Sequence, residues 1–340
     1  MKMLLSLSVL LLFAACSSVR TPPPSGSPVS LIWPPAPEPP RIAYVRSLST
    51  PADFGAKSSA FTSFGKWLTG NGKSAGTLRK PFGLALDENE NLCLTDTGAN
   101  AVCFYDRKAR KWHSWEKVGS VRFLSPVAVA KRNGIFFVAD SVLGKVVAFG
   151  EDGKLRFQIT NHLERPCGVA VTANRIFVAD SQQHVVCVFG PDGTFQKQFG
   201  TRGLGKGQFN FPTHLAIDQS GALYVTDSMN SRVQIFTADG EYQREIGKLG
   251  DSPGCFGRPK GIAVDPEGRA YVMDAAFDNL QIFDNNGHLL LAIGENGSQP
   301  GQFWLANGIA IRRDSEIFVA DSYNRRVQEF KYVGENPKSE

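Results

Sequence analysis

The chain has 340 residues, 42% hydrophobic and 20% charged, with 34 Gly and 20 Pro. That apolar content excludes disorder throughout, and a single long apolar run excludes a protein that crosses a bilayer many times. The formal net charge is +5 with the basic residues interspersed, so no nucleic-acid footprint is indicated.

Met1-Lys2-Met3 precedes an unbroken apolar stretch from Leu4 to Phe13. Ten residues is signal-peptide length and too short to span a bilayer as a helix. Leu12-Phe13-Ala14-Ala15-Cys16 then resembles a bacterial lipobox, with Phe13 where that family has Leu. The resemblance implies a lipoprotein signal peptide over 1–15, a diacylated Cys16, and a cell-envelope address. With Ser17 after the Cys, it implies the outer membrane. The alternative is a plain secretory signal with an incidental Cys. Residues 16–40 read as a stalk, since nine of residues 17–40 are Pro. Such a segment extends as polyproline II and holds a body away from a membrane. Leu31-Ile32-Trp33 is an apolar island within it. It either docks on the body or serves as a partner epitope.

After the stalk the chain repeats. An aliphatic or aromatic run ending in Asp recurs six times, at Asp96, Asp140, Asp180, Asp227, Asp274 and Asp321. About fifteen residues before each Asp stands Pro-x-Gly or a near version, beginning at Pro81, Pro126, Pro166, Pro212 and Pro259, with Ala306-Asn307-Gly308 as the sixth. Turn chemistry divides each repeat into four strands, a to d. In the fifth these are Gly261–Asp265, Ala270–Asp274, Asn279–Phe283 and His288–Ile293. The c–d turns carry Asp-Gly or Asn-Gly, which supply the positive φ of tight hairpins. Strands a and b are apolar along nearly their whole length, so both faces of each sheet need cover. Neighbouring sheets must stack, and closing the stack into a ring leaves no exposed end: a six-bladed β-propeller.

Gly200 to Phe209, Pro212-Thr213-His214-Leu215-Ala216-Ile217-Asp218 and Val225 to Phe236 together resemble an NHL repeat, and Gly301 to Gln328 does so again. Repeats two and three are poorer, with Gly144 and His184 read into the slot of Asn230 and Asn324. The resemblance covers about residues 76–333 and implies an all-β propeller over 41–333, with a tail at 334–340. Only ten residues follow strand c of the last repeat, Arg326–Phe330. The orphan strand Arg41–Leu48 is therefore expected to pair with it and complete blade six.

Chemistry is sparse. The six Asp are expected to be structural, accepting bonds from turn amides and the following Ser or Thr; the alternative is a carboxylate ring for a cation. The five histidines sit at different repeat positions with no partner at ligand spacing, and only His214, in a Gly slot, faces the predicted channel. No catalytic residue, metal set or cofactor motif is assigned. Of the cysteines beyond Cys16, Cys93 and Cys103 lie on adjacent strands and are the candidate disulfide pair; Cys103 and Cys187 share a strand-c slot where a thiol packs as a hydrophobe. The d–a connectors and b–c turns should form one mouth of the ring. Phe277, Trp304, Tyr323 and Arg325 are its candidate partner-binding residues, while Phe209 and Phe303 are expected to wedge between blades. The functional expectation is a tethered, non-enzymatic scaffold, monomeric or within a complex, for envelope proteins rather than nucleic acid. The alternative is a metal-dependent lyase or lactonase with a channel site at His214. A small-ligand sensor is a third reading.

Overall fold

The computed structural model describes residues 31–39, 41–57, 76–313 and 315–334. The predicted signal peptide, Cys16 and the stalk up to residue 30 lie outside the described residues.

Six antiparallel blade sheets form, as the repeat predicts, with a two-stranded hairpin, Lys117–Val118 against Val121–Arg122, in the connector after blade one. Blade one comprises strands a (Pro81–Leu86), b (Leu92–Asp96), c (Ala101–Asp106) and d (Lys111–Trp115). Blades two to five follow over 126–159, 166–199, 212–246 and 259–293, each in the order a-b-c-d. Asp-Gly and Asn-Gly close the c–d hairpins as expected, with Gly153, Gly193, Gly240 and Gly287 at φ of 71°, 86°, 79° and 86°. Strands b and c are sealed on both faces, strand d is the most exposed, and strand a is partly exposed, most in blade four and least in blade two. That last point differs from the uniform burial the apolar pattern suggests, because strand a lines the channel.

Blade six closes the ring. Its strands Ile309–Ile311, Glu316–Asp321 and Arg326–Tyr332 are joined by Ile42–Leu48, which pairs antiparallel to the last of these from Ile42↔Tyr332 to Leu48↔Val327. The apolar island adds a fifth strand, Ile32–Trp33, at the edge. Trp33 meets Phe330 edge-on at 5.9 Å. The island thus belongs to the propeller body, within the segment read as stalk. On the inner side, Gly308 N donates to Phe82 O at 2.8 Å, tying blade six to blade one.

Between blades the contacts are apolar. A large side chain three residues before each Pro slot wedges into these seams: Leu78, Phe123, Leu163, Phe209, Phe256 and Phe303, all buried. Phe209 and Phe303 are wedges, as expected. The ring of Phe209 fills the space a Cβ at Gly200 would occupy, at 2.5 Å, and Gly200 has φ 98°, so only glycine fits there.

The candidate disulfide is excluded by register. Cys93 stands opposite Phe104, whereas Cys103 stands opposite Leu94. The two thiols therefore project to opposite faces of blade one, into different inter-blade cores. All five described cysteines are free. Burial pushes the Cys103 and Cys187 thiols up to about 12, so both behave as small hydrophobes.

Candidate functional site: the channel mouth

The sheet order places the start of strand a, the end of strand b and the start of strand c on one face, so d–a connectors and b–c turns build one mouth of the channel. The six aspartates fasten this face from within and are at most 1% exposed. Asp180 accepts from Glu164 N (2.6 Å) and Arg165 N (3.0 Å) in the preceding connector, and from Gln182 N (3.0 Å) and Gln183 N (3.1 Å) in the following turn. Asp96, Asp140 and Asp274 use the same kinds of donor. In blades four and six, side chains replace the turn amides. Asp321 accepts from Trp304 N (2.9 Å), Asn324 Nδ2 (2.9 Å), Arg326 Nε (2.7 Å) and Gln328 Nε2 (3.0 Å), and Asp227 is held likewise by Asn210, Asn230, Arg232 and Gln234. With its oxygens committed to so many donors, each carboxylate is a joint between connector and turn.

The hydroxyl that follows the Asp bonds its own connector in blades one and three, where Thr97 Oγ1 donates to Lys80 O (3.2 Å) and Ser181 Oγ to Arg165 O (3.2 Å). In blades four and six it reaches the next blade. Ser228 Oγ donates to Pro259 O (2.8 Å) and Ser322 Oγ to Pro81 O, each on the next blade. These hydroxyls stitch neighbours together instead of serving their own turn. The turn itself closes on a left-handed residue four after the Asp in all six blades: Asn100, Gly144, His184, Ser231, Asp278 and Arg325, with φ between 49° and 63°. Gly144 and His184 thus correspond to Ser231 and Arg325, one position beyond the Asn slot into which the sequence reading put them. Leu143 and Gln183 fill the Asn slot.

The channel narrows at the third residue of the Pro-x-Gly motif. Gly83, Ala128, Gly168, His214 and Gly308 lie there, around a gap of about 30 Å³. A Cβ at Gly168 would stand 2.5 Å from Thr213 O of the neighbouring blade, so the inner strands can approach only where this side chain is absent or small. His214 is the one bulky residue at that level. Its ring stacks with Phe82 of the diametrically opposite blade, centroids 6.3 Å apart and planes 19° apart. The pair floors a funnel of about 410 Å³ that opens at the mouth. Beyond the constriction, the opposite end widens to about 700 Å³.

The two ends differ electrically. At the wide end acids and bases are mixed: Lys131 pairs with Asp87 (2.6 Å) and Arg313 with Glu90 (3.6 Å). The funnel is lined by Arg165, Arg258 and Lys260, with Ser141, Ser181, Ser228, Thr213 and Cys167 and the apolar Phe82, Val127, Phe211 and Met229, and by no carboxylate. Burial, then the charge of Arg258, push the Lys260 ammonium down to about 8; Cys167 opposes them, and Arg165 adds a smaller push in the same direction as Arg258. Both ring nitrogens of His214 are sealed from solvent without a hydrogen-bond partner, although part of the side chain faces the funnel. Burial, reinforced by Lys260, pushes this imidazole down to about 3.

A titration consequence follows for His214. Between pH 3 and the ordinary value near 6.5, the unfolded chain binds a proton that the folded chain refuses. Stability therefore falls as pH drops through that window, by up to about 1.4 kcal/mol per pH unit from this residue. Urea midpoints measured across the window should fall more steeply for the native protein than for His214→Ala. Parallel profiles would show that the imidazole is not buried neutral.

Of the sequence-predicted contact residues, Trp304, Tyr323 and Phe277 are 48%, 45% and 38% exposed, and Arg325 is exposed beside them. Trp304 and Tyr323 lie 5.5 Å apart, and Lys80 Nζ sits 4.5 Å from the Tyr323 ring centre. Phe277 is held on the adjacent turn, whose Asp278 accepts from Leu305 N at 2.7 Å. Arg232 is buried, locked on Asp227 and Glu245. Arg165 and Arg258 were not anticipated. The signal was present: a basic residue directly precedes the Pro slot in Lys80-Pro81, Arg165-Pro166 and Arg258-Pro259. Only ring closure turns three such dipeptides into one rim.

The chain is an all-β, six-bladed propeller. Residues 209–236 match the NHL repeat, and residues 160–222 match a family described as 6-bladed beta-propeller. No curated protein matches the chain in sequence. Among solved structures it is similar to a streptogramin B lyase (TM-score 0.57, 14% identity, 75% of this chain and 94% of that one). It is also similar to a gluconolactonase from Xanthomonas campestris (0.57, 16%, 75% and 86%). A nidogen/laminin complex is comparable in fold (0.53, 16%, 71% and 86%). At such identities the likeness is one of fold.

Proposed function

We propose that the chain is a non-enzymatic, membrane-tethered propeller that binds an acidic protein partner in the cell envelope through its channel-mouth face. One observation carries this reading: exposed large apolar side chains crowd onto that face. Of thirteen such residues among those described, Leu124, Leu204, Phe211, Leu249 and Trp304 lie on d–a connectors, and Val142, Met229, Phe277 and Tyr323 on b–c turns. The remaining four are Val45, Phe195 and Leu290 on outer strands and Val333 at the opposite end. Soluble surfaces usually scatter such residues singly, and aromatics flanked by Arg are typical interface anchors. Arg79, Arg202, Lys206, Lys248 and Arg325 are exposed around them and outnumber the exposed Glu116, Glu164, Asp251 and Glu295 of the same connectors, which favours an acidic partner surface. The tether rests on the lipobox-like Leu12–Cys16 run.

In-cell photocrosslinking tests both parts. A photoreactive residue at position 304 or 323 should give a discrete adduct in the membrane fraction, and one at 290 should not. Phe277→Ala should reduce the adduct at 323 by about tenfold or more with melting unchanged, and Cys16→Ala should release the adduct to the soluble fraction. Equal adducts at 290 and 323 would sink the face; retention after Cys16→Ala would sink the tether. The metal-dependent alternative draws on His214 alone, since no group of three His, Cys, Asp or Glu able to hold a metal occurs among the described residues. Stoichiometric metal in the purified protein, lost on His214→Ala, would favour it.

A further inference from the structure

We infer that the funnel is a binding site for a small organic acid, with its carboxylate or phosphate held by Arg165, Arg258 and Lys260 and its apolar body lying on Phe82 and His214. The basic residues this chain buries most completely are paired, although Arg132 Nε and Arg244 Nη1, on half-buried residues, are sealed without a partner. Lys131 meets Asp87 and Glu151, Arg269 meets Asp265, Arg232 meets Asp227 and Arg326 meets Asp321. Lys260 is largely withdrawn from water, yet neither it nor the side chains of Arg165 and Arg258 makes an ion pair or hydrogen bond with any described residue. Asp180, close by in strand b, is spent on backbone amides. Arg165 and Arg258 are exposed and Lys260 is half-buried, and three like charges lining one funnel repel one another, which a bound anion relieves.

A second, independent feature points the same way. His214 Nδ1, His214 Nε2 and Thr213 Oγ1 are buried with no partner, and both residues line the funnel. Buried polar atoms are ordinarily satisfied, so the funnel's lining holds unmet hydrogen-bonding capacity, which a ligand oxygen would meet after a small side-chain shift. The floor is aromatic and the volume suits a small molecule. The funnel shares Phe211 and Met229 with the docking face, but Trp304 and Tyr323 do not line it, so binding in the funnel and crosslinking at 304 or 323 are read separately.

Protonation supplies a signature. The groups facing Lys260 are Arg258, Arg165, Cys167 and His214. Burial holds the Cys167 thiol above its ordinary value, and His214 titrates near 3, so Lys260 is the group among these that changes charge near pH 8. A bound anion favours the ammonium. Binding above pH 8 must therefore take up a proton, with affinity falling up to about tenfold per pH unit.

Calorimetry on the intact protein tests this with phenyl phosphate and benzoate, benzyl alcohol as the neutral probe and inorganic phosphate as the bare anion, in buffers of differing ionisation heat on either side of pH 8. The two aromatic acids should bind at least about tenfold more tightly than benzyl alcohol and than inorganic phosphate, with proton uptake only on the alkaline side. Lys260→Met should weaken them by roughly ten- to a hundredfold while raising the melting temperature of the ligand-free protein, since an unpaired buried charge is removed. Lys260→Arg should bind without proton uptake, which separates charge from folding. Unchanged affinity in Lys260→Met overturns the inference. So does equal binding of benzyl alcohol, equal binding of inorganic phosphate, or no binding of either aromatic acid at millimolar concentration.

Discussion

Deletion of residues 31–49 is expected to abolish cooperative folding of the entire ring. The deleted strand buries Ile42 and Leu48 almost completely, and each such burial is worth about 1.5–3 kcal/mol. Trp33 and Tyr44 pack edge-on against Phe330 at 5.9 and 5.7 Å, and Arg46 pairs with Glu329 at 2.8 Å. Their loss leaves Arg326–Tyr332 as a bare edge, open to association with other chains. The sum exceeds about 5 kcal/mol, which is comparable with the whole stability of many domains. Circular dichroism melts and size-exclusion chromatography should show a broad, low transition and aggregation. A rescue separates the strand from its place in the sequence. Ile42 faces Tyr332, and Val333 N donates to Arg41 O at 2.8 Å. The same strand joined after Gly334 through a tight turn should restore the melt. A deleted protein that melts in one transition within about 5 °C of the native one would show that closure is not what holds the ring.

The second large effect is expected from Asp321→Ala. The carboxylate gathers a backbone amide, Asn324, Arg326 and Gln328 around one point, and Arg326 retains no other acid. Removing it leaves a buried guanidinium without a counter-charge, bonded only to Gln299 O and Gln302 O, and releases the Trp304 amide from its acceptor. The cost should be about 3–5 kcal/mol by urea denaturation, the range for breaking a buried pair from one side. Glu116→Ala is the control. Its partner Arg122 is 67% exposed and Glu116 itself 64%, so less than about 1 kcal/mol is expected. Equal losses in the two variants would reduce the Asp joint to a surface contact. Asp321→Ala should also loosen the Trp304–Tyr323 pair, which gives the photocrosslink at 323 a structural dependence.

The fold was legible because its signals are local. A strand ending in Asp, a Pro-x-Gly entrance and an Asp-Gly hairpin each act within a few residues, and six copies leave one way to cover apolar sheets on both faces. Even closure could be read, since the sixth repeat lacks strand d and Arg41–Leu48 lacks a sheet. The disulfide was not legible. Register, which sends Cys93 and Cys103 to opposite faces, depends on hairpin geometry that adjacency in sequence does not specify. The turn slots of Gly144 and His184 were misjudged by one residue for a related reason. The invariant there is the left-handed φ, which Asn, Gly, His, Ser, Asp and Arg all adopt and no residue type announces.

From the order of its residues alone, the chain specified six blades, the pairing of Arg41–Leu48 with the last strand of the propeller and the structural service of the six aspartates. Tertiary structure alone decided the funnel. Arg165 and Arg258 are more than ninety positions apart, and His214 meets Phe82 across the full width of the ring. Such groups become neighbours only when the last blade locks onto the first, because a channel is assembled from one residue per blade and no stretch of sequence contains it.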